Sequence, residues 1–141
     1  MFLYFSGSRE ILQCVDAINK RAESENLAVI AYPLYSCMDE ESKNASKDPT
    51  HRTGIDGEAK SFSAQYVRKV ICCTNIAETS VTIDRVRFVI DGGMAKKRKY
   101  NHGLRAMTLR EEPVARASTK QRRGRAGRTQ TGCCYYLYSK Y

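Results

Sequence analysis

FLYFSGSREILQCVDAI, residues 2–18, is the stretch from which the rest of the chain can be read. Phe2 to Phe5 is a short apolar run closed by Ser6-Gly7-Ser8. After it Ile11, Leu12, Val15, Ala17, Ile18 and Ala22 recur at the spacing of a helix with one buried face. The pattern is strand, turn and amphipathic helix, with Ser8 as the expected N-cap. Leu27 to Leu34, rich in Val, Ile and Tyr, reads as a second strand that Pro33 should stop. Strand, helix and strand in that order predict a parallel β-α-β unit.

Working outward, Val67 to Cys73 and Val86 to Asp91 read as further strands, separated by a segment with room for only a short helical turn. After Gly92-Gly93 a basic loop is expected at Lys96 to Lys99, then a strand at Leu104 to Leu109, a helix at Ser118 to Arg128 and a last strand at Cys133 to Tyr138. Between Asp39 and Lys60 the chain turns polar around Asp48-Pro49, Gly54 and Gly57, so residues 39–61 are expected to hold a broken helix and an exposed loop or insertion. The fold class that follows is α/β: an open, mostly parallel sheet flanked by helices, binding ligands at the C-terminal ends of its strands.

A chain of 141 residues, 42% of them apolar, has the size and content of one domain, residues 1–141. It contains no apolar run long enough to span a bilayer and no signal-peptide pattern. The six cysteines form no C-x-x-C and have only two histidines beside them, which favours reduced thiols in an intracellular protein over a metal shell or a disulfide framework. Net charge is +9 but uneven: residues 1–60 carry 7 Lys/Arg against 10 Asp/Glu, and residues 61–141 carry 17 against 5. The basic half favours a polyanion, whether RNA, DNA or a nucleotide.

The most concentrated chemistry lies at Gln121-Arg122-Arg123-Gly124-Arg125-Ala126-Gly127-Arg128. On a continuous helix Gln121, Arg125 and Arg128 would share one face. Stacked guanidinium groups need an anion or carboxylates opposite, and their planar fork suits phosphate oxygens. Two glycines cost about 1 kcal/mol each in a helix interior, so they imply the close approach of another backbone or a nucleotide. The plain alternative is a solvated basic face, with Ser118 and Gln121 as a capping box.

This run resembles motif VI of superfamily 2 helicases. TNIAETSVTID, residues 74–84, resembles motif V of the DEAH-box branch, and Phe2 to Ile11 is similar to that family's motif IV. Tyr32-Pro33-Leu34-Tyr35-Ser36 and Val89-Ile90-Asp91-Gly92-Gly93 fall in the family's order. The resemblance covers essentially the whole chain and implies the second RecA-like domain of a DEAH-type RNA helicase, as a fragment of a longer protein. It implies arginine fingers at Arg125 and Arg128, with Gln121 positioning the attacking water, a role in which one finger is worth about 10³ to 10⁵ in rate. Arg122 would instead brace its helix through a carboxylate, and Arg123, where many relatives carry a small residue, would face solvent.

By the same resemblance Thr74 and Asn75 would hold the RNA backbone, together with Ser6 and Gly7. Thr82 and Asp84 would touch base and ribose of the nucleotide, and Phe62 would stack on adenine. Each has a simpler reading: Asn75 and Glu78 as a capping box, Ser6-Gly7 and Asp84 as turns, Phe62 as core. Lys96 to Lys99 resembles a short nuclear-import signal, though such a run is more often a solvated loop, here one along the RNA path.

Neither the G-x-x-x-x-G-K-[ST] phosphate loop nor the carboxylate motif for magnesium occurs in these residues, so ATP with Mg2+ would be bound mainly by a first RecA-like domain of the same parent. The chain alone should hydrolyse essentially no ATP. Expected partners are single-stranded RNA, that first domain and an activator protein, with no membrane, and the expected compartment is nucleus or cytoplasm. The alternatives are a viral non-structural-protein helicase domain and a non-catalytic, helicase-derived RNA-binding module.

Overall fold

The computed structural model describes residues 1–47, 68–79, 81, 83, 86–128 and 131–139. In chain order the elements are β1 Phe2–Tyr4, α1 Ser8–Ser24, β2 Val29–Leu34, α2 Glu40–Lys47, β3 Arg68–Cys73, α3 Ile76–Thr79, β4 Phe88–Asp91, β5 Met94–Asn101, β6 Ala106–Pro113, α4 Arg116–Arg123 and β7 Cys133–Tyr136. Five of the strands form a wholly parallel sheet in the order β2-β3-β1-β4-β7, while β5 and β6 pair as a separate antiparallel ribbon. This is a RecA-like α/β arrangement, the expected class.

The strand period of two splits the core between the sheet's faces. Phe2, Tyr4, Leu34, Ile71, Cys73 and Val89 are buried on one face with Ala77, Val81 and Val86. On the other face Ala31, Val70 and Cys72 pack with Ile11 and Val15 of α1. The near-continuous apolar run of β3 follows from burial on both faces, as an inner parallel strand requires.

Pro33 does not stop β2; it lies inside the strand. The sheet order explains why: β2 is an edge and pairs only with β3. The Pro33 carbonyl points outward, where it accepts the Ser46 hydroxyl at 2.7 Å, so the missing N–H is also on the unpaired side. On the same side Asn19 of α1 occupies both backbone groups of Ala31, donating to its carbonyl at 3.2 Å and accepting from its N–H at 2.8 Å. The exposed ladder is covered by a side chain rather than left open to another strand.

Three local expectations are corrected. Gly7, not Ser8, is the N-cap of α1, in extended conformation, and Ser8 is the first helical residue. Lys96 to Lys99 is no loop but the middle of β5. The helix expected at residues 118–128 runs from Arg116 to Arg123 with Ala115 as N-cap, so Ser118 and Gln121 form no capping box. Among the described residues no helix is long and apolar enough to cross a membrane.

Candidate functional site

Parallel neighbours present their C-terminal ends at one edge, and β3, β1 and β4 are consecutive in the sheet. Tyr4 stands in register with Cys73 on one side and Asp91 on the other. The Phe5 N–H bonds the Cys73 carbonyl at 2.8 Å, so the turn Ser6-Gly7 and the pair Thr74-Asn75 leave the sheet side by side. The structure thus brings together the four residues assigned to RNA backbone contact. Thr74 is half-buried and Asn75 exposed. Lys96 of β5 approaches the same turn, its Nζ lying 3.9 Å from the Glu10 carboxylate.

α3 starts immediately after Asn75. Its first turn is closed by backbone bonds from Ala77 to Thr74 at 3.3 Å and from Glu78 to Asn75 at 2.9 Å. The Glu78 carboxylate is not the capping partner of Asn75; it accepts from Arg122 Nε at 2.8 Å. Tyr4 donates from below, its hydroxyl 3.3 Å from the Ala77 carbonyl. Burial drives the Tyr4 phenol well above its ordinary range, so the group is a fixed donor.

Arg122 is the largest fully buried side chain. Besides Glu78 it donates to Asp91 Oδ1 at 2.6 Å and to the Met94 carbonyl at 3.5 Å, with its guanidinium 4.7 Å above the Tyr4 ring. Asp91 is equally buried and fully engaged: Oδ1 also takes the Gly93 N–H at 2.9 Å, and Oδ2 takes the Tyr138 hydroxyl at 3.2 Å. Burial alone would weaken the charged guanidinium, but its hydrogen bonds to Asp91 and Glu78 outweigh that and hold the Arg122 pKa above its usual value. The expected brace of Arg122 through a carboxylate is present, and it uses two.

Beyond Arg123 the chain leaves the helix. Gly124 caps it, Arg125 and Ala126 bond back to Arg122 and Arg123 in tight turns, and Gly127 adopts φ +86°, a left-handed conformation that glycine takes without strain. The single face expected for Gln121, Arg125 and Arg128 therefore does not form. Gln121 and Arg128 are exposed, whereas Arg125 is 6% exposed and turned inward. Arg125 donates to the Val81 carbonyl at 2.7 Å and to the Glu78 carbonyl, the latter a short contact. Arg123 is exposed, as expected.

Thr82, Asp84 and Phe62 lie outside the described residues, as does most of 39–61. Reading the sequence missed Asp91, Tyr4 and Tyr138 as members of this cluster. Asp91 carried a usable signal, a carboxylate ending the apolar run Phe88-Val89-Ile90 where a buried strand has no place for an unpaired charge. Gly132 was missed too: a Cβ there would lie 2.7 Å from both the Arg87 carbonyl and the Gly127 nitrogen, so the absence of a side chain lets β7 enter against the motif VI turn. The cysteines are free, with Cys72 and Cys73 buried, Cys14 and Cys134 half-buried and Cys37 and Cys133 exposed. No group of three or more His, Cys, Asp or Glu among the described residues is placed to hold a metal ion.

Comparison with known proteins bears on this geometry. A family model described as the helicase conserved C-terminal domain matches residues 3–130. The chain is 34% identical over 140 residues to the ATP-dependent RNA helicase HrpA of Borreliella burgdorferi, covering 99% of the chain and 15% of that protein. It is 37% identical over 142 residues to the probable ATP-dependent RNA helicase DHX34 of Mus musculus, covering 99% of the chain and 11% of the relative. Among solved structures, the DExH-box NTPase HrpB of E. coli superposes with a TM-score of 0.75 at 28% identity, over 99% of this chain and 15% of that one. The chain thus spans only 11 to 15% of these proteins.

Proposed function

The chain belongs to the helicase conserved C-terminal domain family, as a second RecA-like domain of the DEAH/RHA type, and we propose that it is the RNA-gripping, hydrolysis-completing half of an ATP-dependent RNA helicase motor. In this reading Ser6, Gly7, Thr74 and Asn75 hold the phosphate backbone of single-stranded RNA. Contacts of that kind carry no sequence information and suit a motor that must step along any strand. ATP and Mg2+ sit mainly on a first RecA-like domain of the parent chain, and this domain supplies Gln121, Arg125 and Arg128 from across the cleft. Thr82 and Asp84 meet the nucleotide, and Phe62 stacks on its base. An activator protein completes the assembly.

The observation that carries the reading is the locking of motif VI onto motif V: Arg122 and Arg125 both bind α3, directly beyond Thr74 and Asn75. In this reading RNA contact and phosphate contact meet at one corner of the domain. The test is Arg128→Ala in the full-length protein, which should lower RNA-stimulated ATP hydrolysis by about a hundredfold or more while leaving the melting temperature unchanged, since Arg128 is exposed. Unchanged hydrolysis would overturn the finger assignment. The inward placement of Arg125 favours one other reading, a helicase-derived RNA-binding module without turnover, in which that residue only braces α3. RNA binding with no stimulated hydrolysis in the unmodified protein would establish it.

A further inference from the structure

The Ser6-Gly7 turn, one of the surfaces given to the RNA backbone, is not open. Ser6 is half-buried and Gly7 buried. Gly7 leads into α1 in extended conformation, with φ −152° and ψ 170°, which any residue adopts, so what glycine supplies here is space and not backbone freedom. A Cβ there would lie 2.3 Å from Lys96 Nζ, 3.1 Å from Lys96 Cε and 2.8 Å from Glu10 Oε2. The lysine head and the carboxylate thus lie on the turn itself, one reaching from β5 and the other from the first turn of α1. They meet imperfectly. Nζ and Oε2 are 3.9 Å apart, an ion pair without a hydrogen bond, and Oε2 is shut off from water with no hydrogen-bond partner.

We propose that Lys96 and Glu10 form a cap over Gly7 in which Glu10 competes with an RNA phosphate for the lysine. The proposal rests on the function given above and deepens it by naming what covers that contact and what opposes its opening. A phosphate arriving at the turn accepts from Nζ the hydrogen bond that Glu10 Oε2 does not take. Lys96 then swings from the carboxylate to the RNA, and Gly7 is uncovered. The pair is weak enough for a polyanion to open, because both side chains are partly in water, Lys96 36% exposed and Glu10 43%. A motor that steps along RNA must release each phosphate it holds, and a competitor built into the same turn keeps the grip from becoming too tight.

The test measures equilibrium binding of fluorescently labelled oligouridine to the full-length protein without nucleotide, over a series of salt concentrations. Glu10→Gln should tighten binding about two- to fivefold, the scale of one partly exposed ion pair and a gain that a misfolded variant cannot give. Lys96→Ala should weaken binding and lower the slope of log affinity against log salt by about one. With Lys96→Ala already in place, Glu10→Gln should change the affinity by less than about 1.5-fold, because no lysine is left to compete for. Asp16→Asn removes the same charge farther along α1, from an exposed pair with Lys20, and should leave the affinity unchanged. Unchanged or weaker binding by Glu10→Gln would overturn the proposal, as would unchanged binding by Lys96→Ala. An equal gain from Glu10→Gln with and without Lys96, or an equal gain from Asp16→Asn, would also overturn it, since Glu10 would then act by general repulsion alone. An unmodified protein that does not bind oligouridine at low salt would overturn the function above before any variant was made.

Discussion

If Arg122 is truncated, Glu78 and Asp91 lose their shared cation in a place where Asp91 and Arg122 are wholly out of water. Breaking a buried ion pair from one side typically costs about 3–5 kcal/mol, because a charge is stranded rather than merely a bond lost. Arg122→Met should therefore lower the unfolding free energy of the domain by that amount in urea titration, and adding Glu78→Gln and Asp91→Asn should restore much of it. If the triple variant were no more stable than Arg122→Met, stranded charge would not be the cause. The bracing role of Arg122 was implied by the resemblance of its run to motif VI; which carboxylates it meets was not legible, since Glu78 and Asp91 lie 44 and 31 residues away along the chain. Arg125 misled for the opposite reason: the spacing from Gln121 is helical, but side-chain direction is set by where the helix stops.

That stop is an element-scale property carried by glycines. Gly127 at φ +86° and Gly132 packed against the Gly127 nitrogen form the corner that turns Arg125 inward and admits β7 beside β4. Gly132→Ala would set a methyl group against two backbone atoms that cannot swing aside, an overpacking that costs about 1–3 kcal/mol. A melting temperature unchanged by Gly132→Ala would show that the corner has more room than the geometry implies. A glycine in a sequence advertises freedom or proximity without saying which, and here Gly127 supplies the first and Gly132 the second. The basic run in β5 went unread as a strand for a related reason. The two-stranded ribbon buries Ala95 but exposes Tyr100, Met107 and Leu109, so the alternation that reveals a half-buried strand is missing. Strands β1 to β4 were legible because burial writes itself into apolar runs, whereas β7 is largely exposed.

At the scale of the whole domain, the inner strand β3 carries two adjacent thiols, one on each face of the sheet, and this links stability to pH. Burial, reinforced by neighbouring Cys14 for Cys72 and by Cys72 for Cys73, pushes both thiols well above the ordinary range. In the unfolded chain each would ionise near a pKa of about 8.5. Above that pH the folded state holds more protons than the unfolded one, so stability is fully present below about pH 8 and declines as pH rises, by about 1.4 kcal/mol per unit for each thiol kept protonated. Tyr4, raised mainly by burial and donating to Ala77, joins the same trend only above about pH 10, the unfolded value of a phenol. The unfolding free energy of the domain, measured in urea from pH 7 to 10, should fall with a slope that Cys73→Ala reduces by one thiol's share. The two exposed thiols, Cys37 and Cys133, should react with a thiol reagent in native protein at pH 8, while Cys72 and Cys73 stay inert until the domain unfolds. Equal slopes for the parent and Cys73→Ala would mean that the buried thiol ionises in place, and the sheet would then have to admit water at its centre, against the complete burial of Cys72 and Cys73 on its opposite faces.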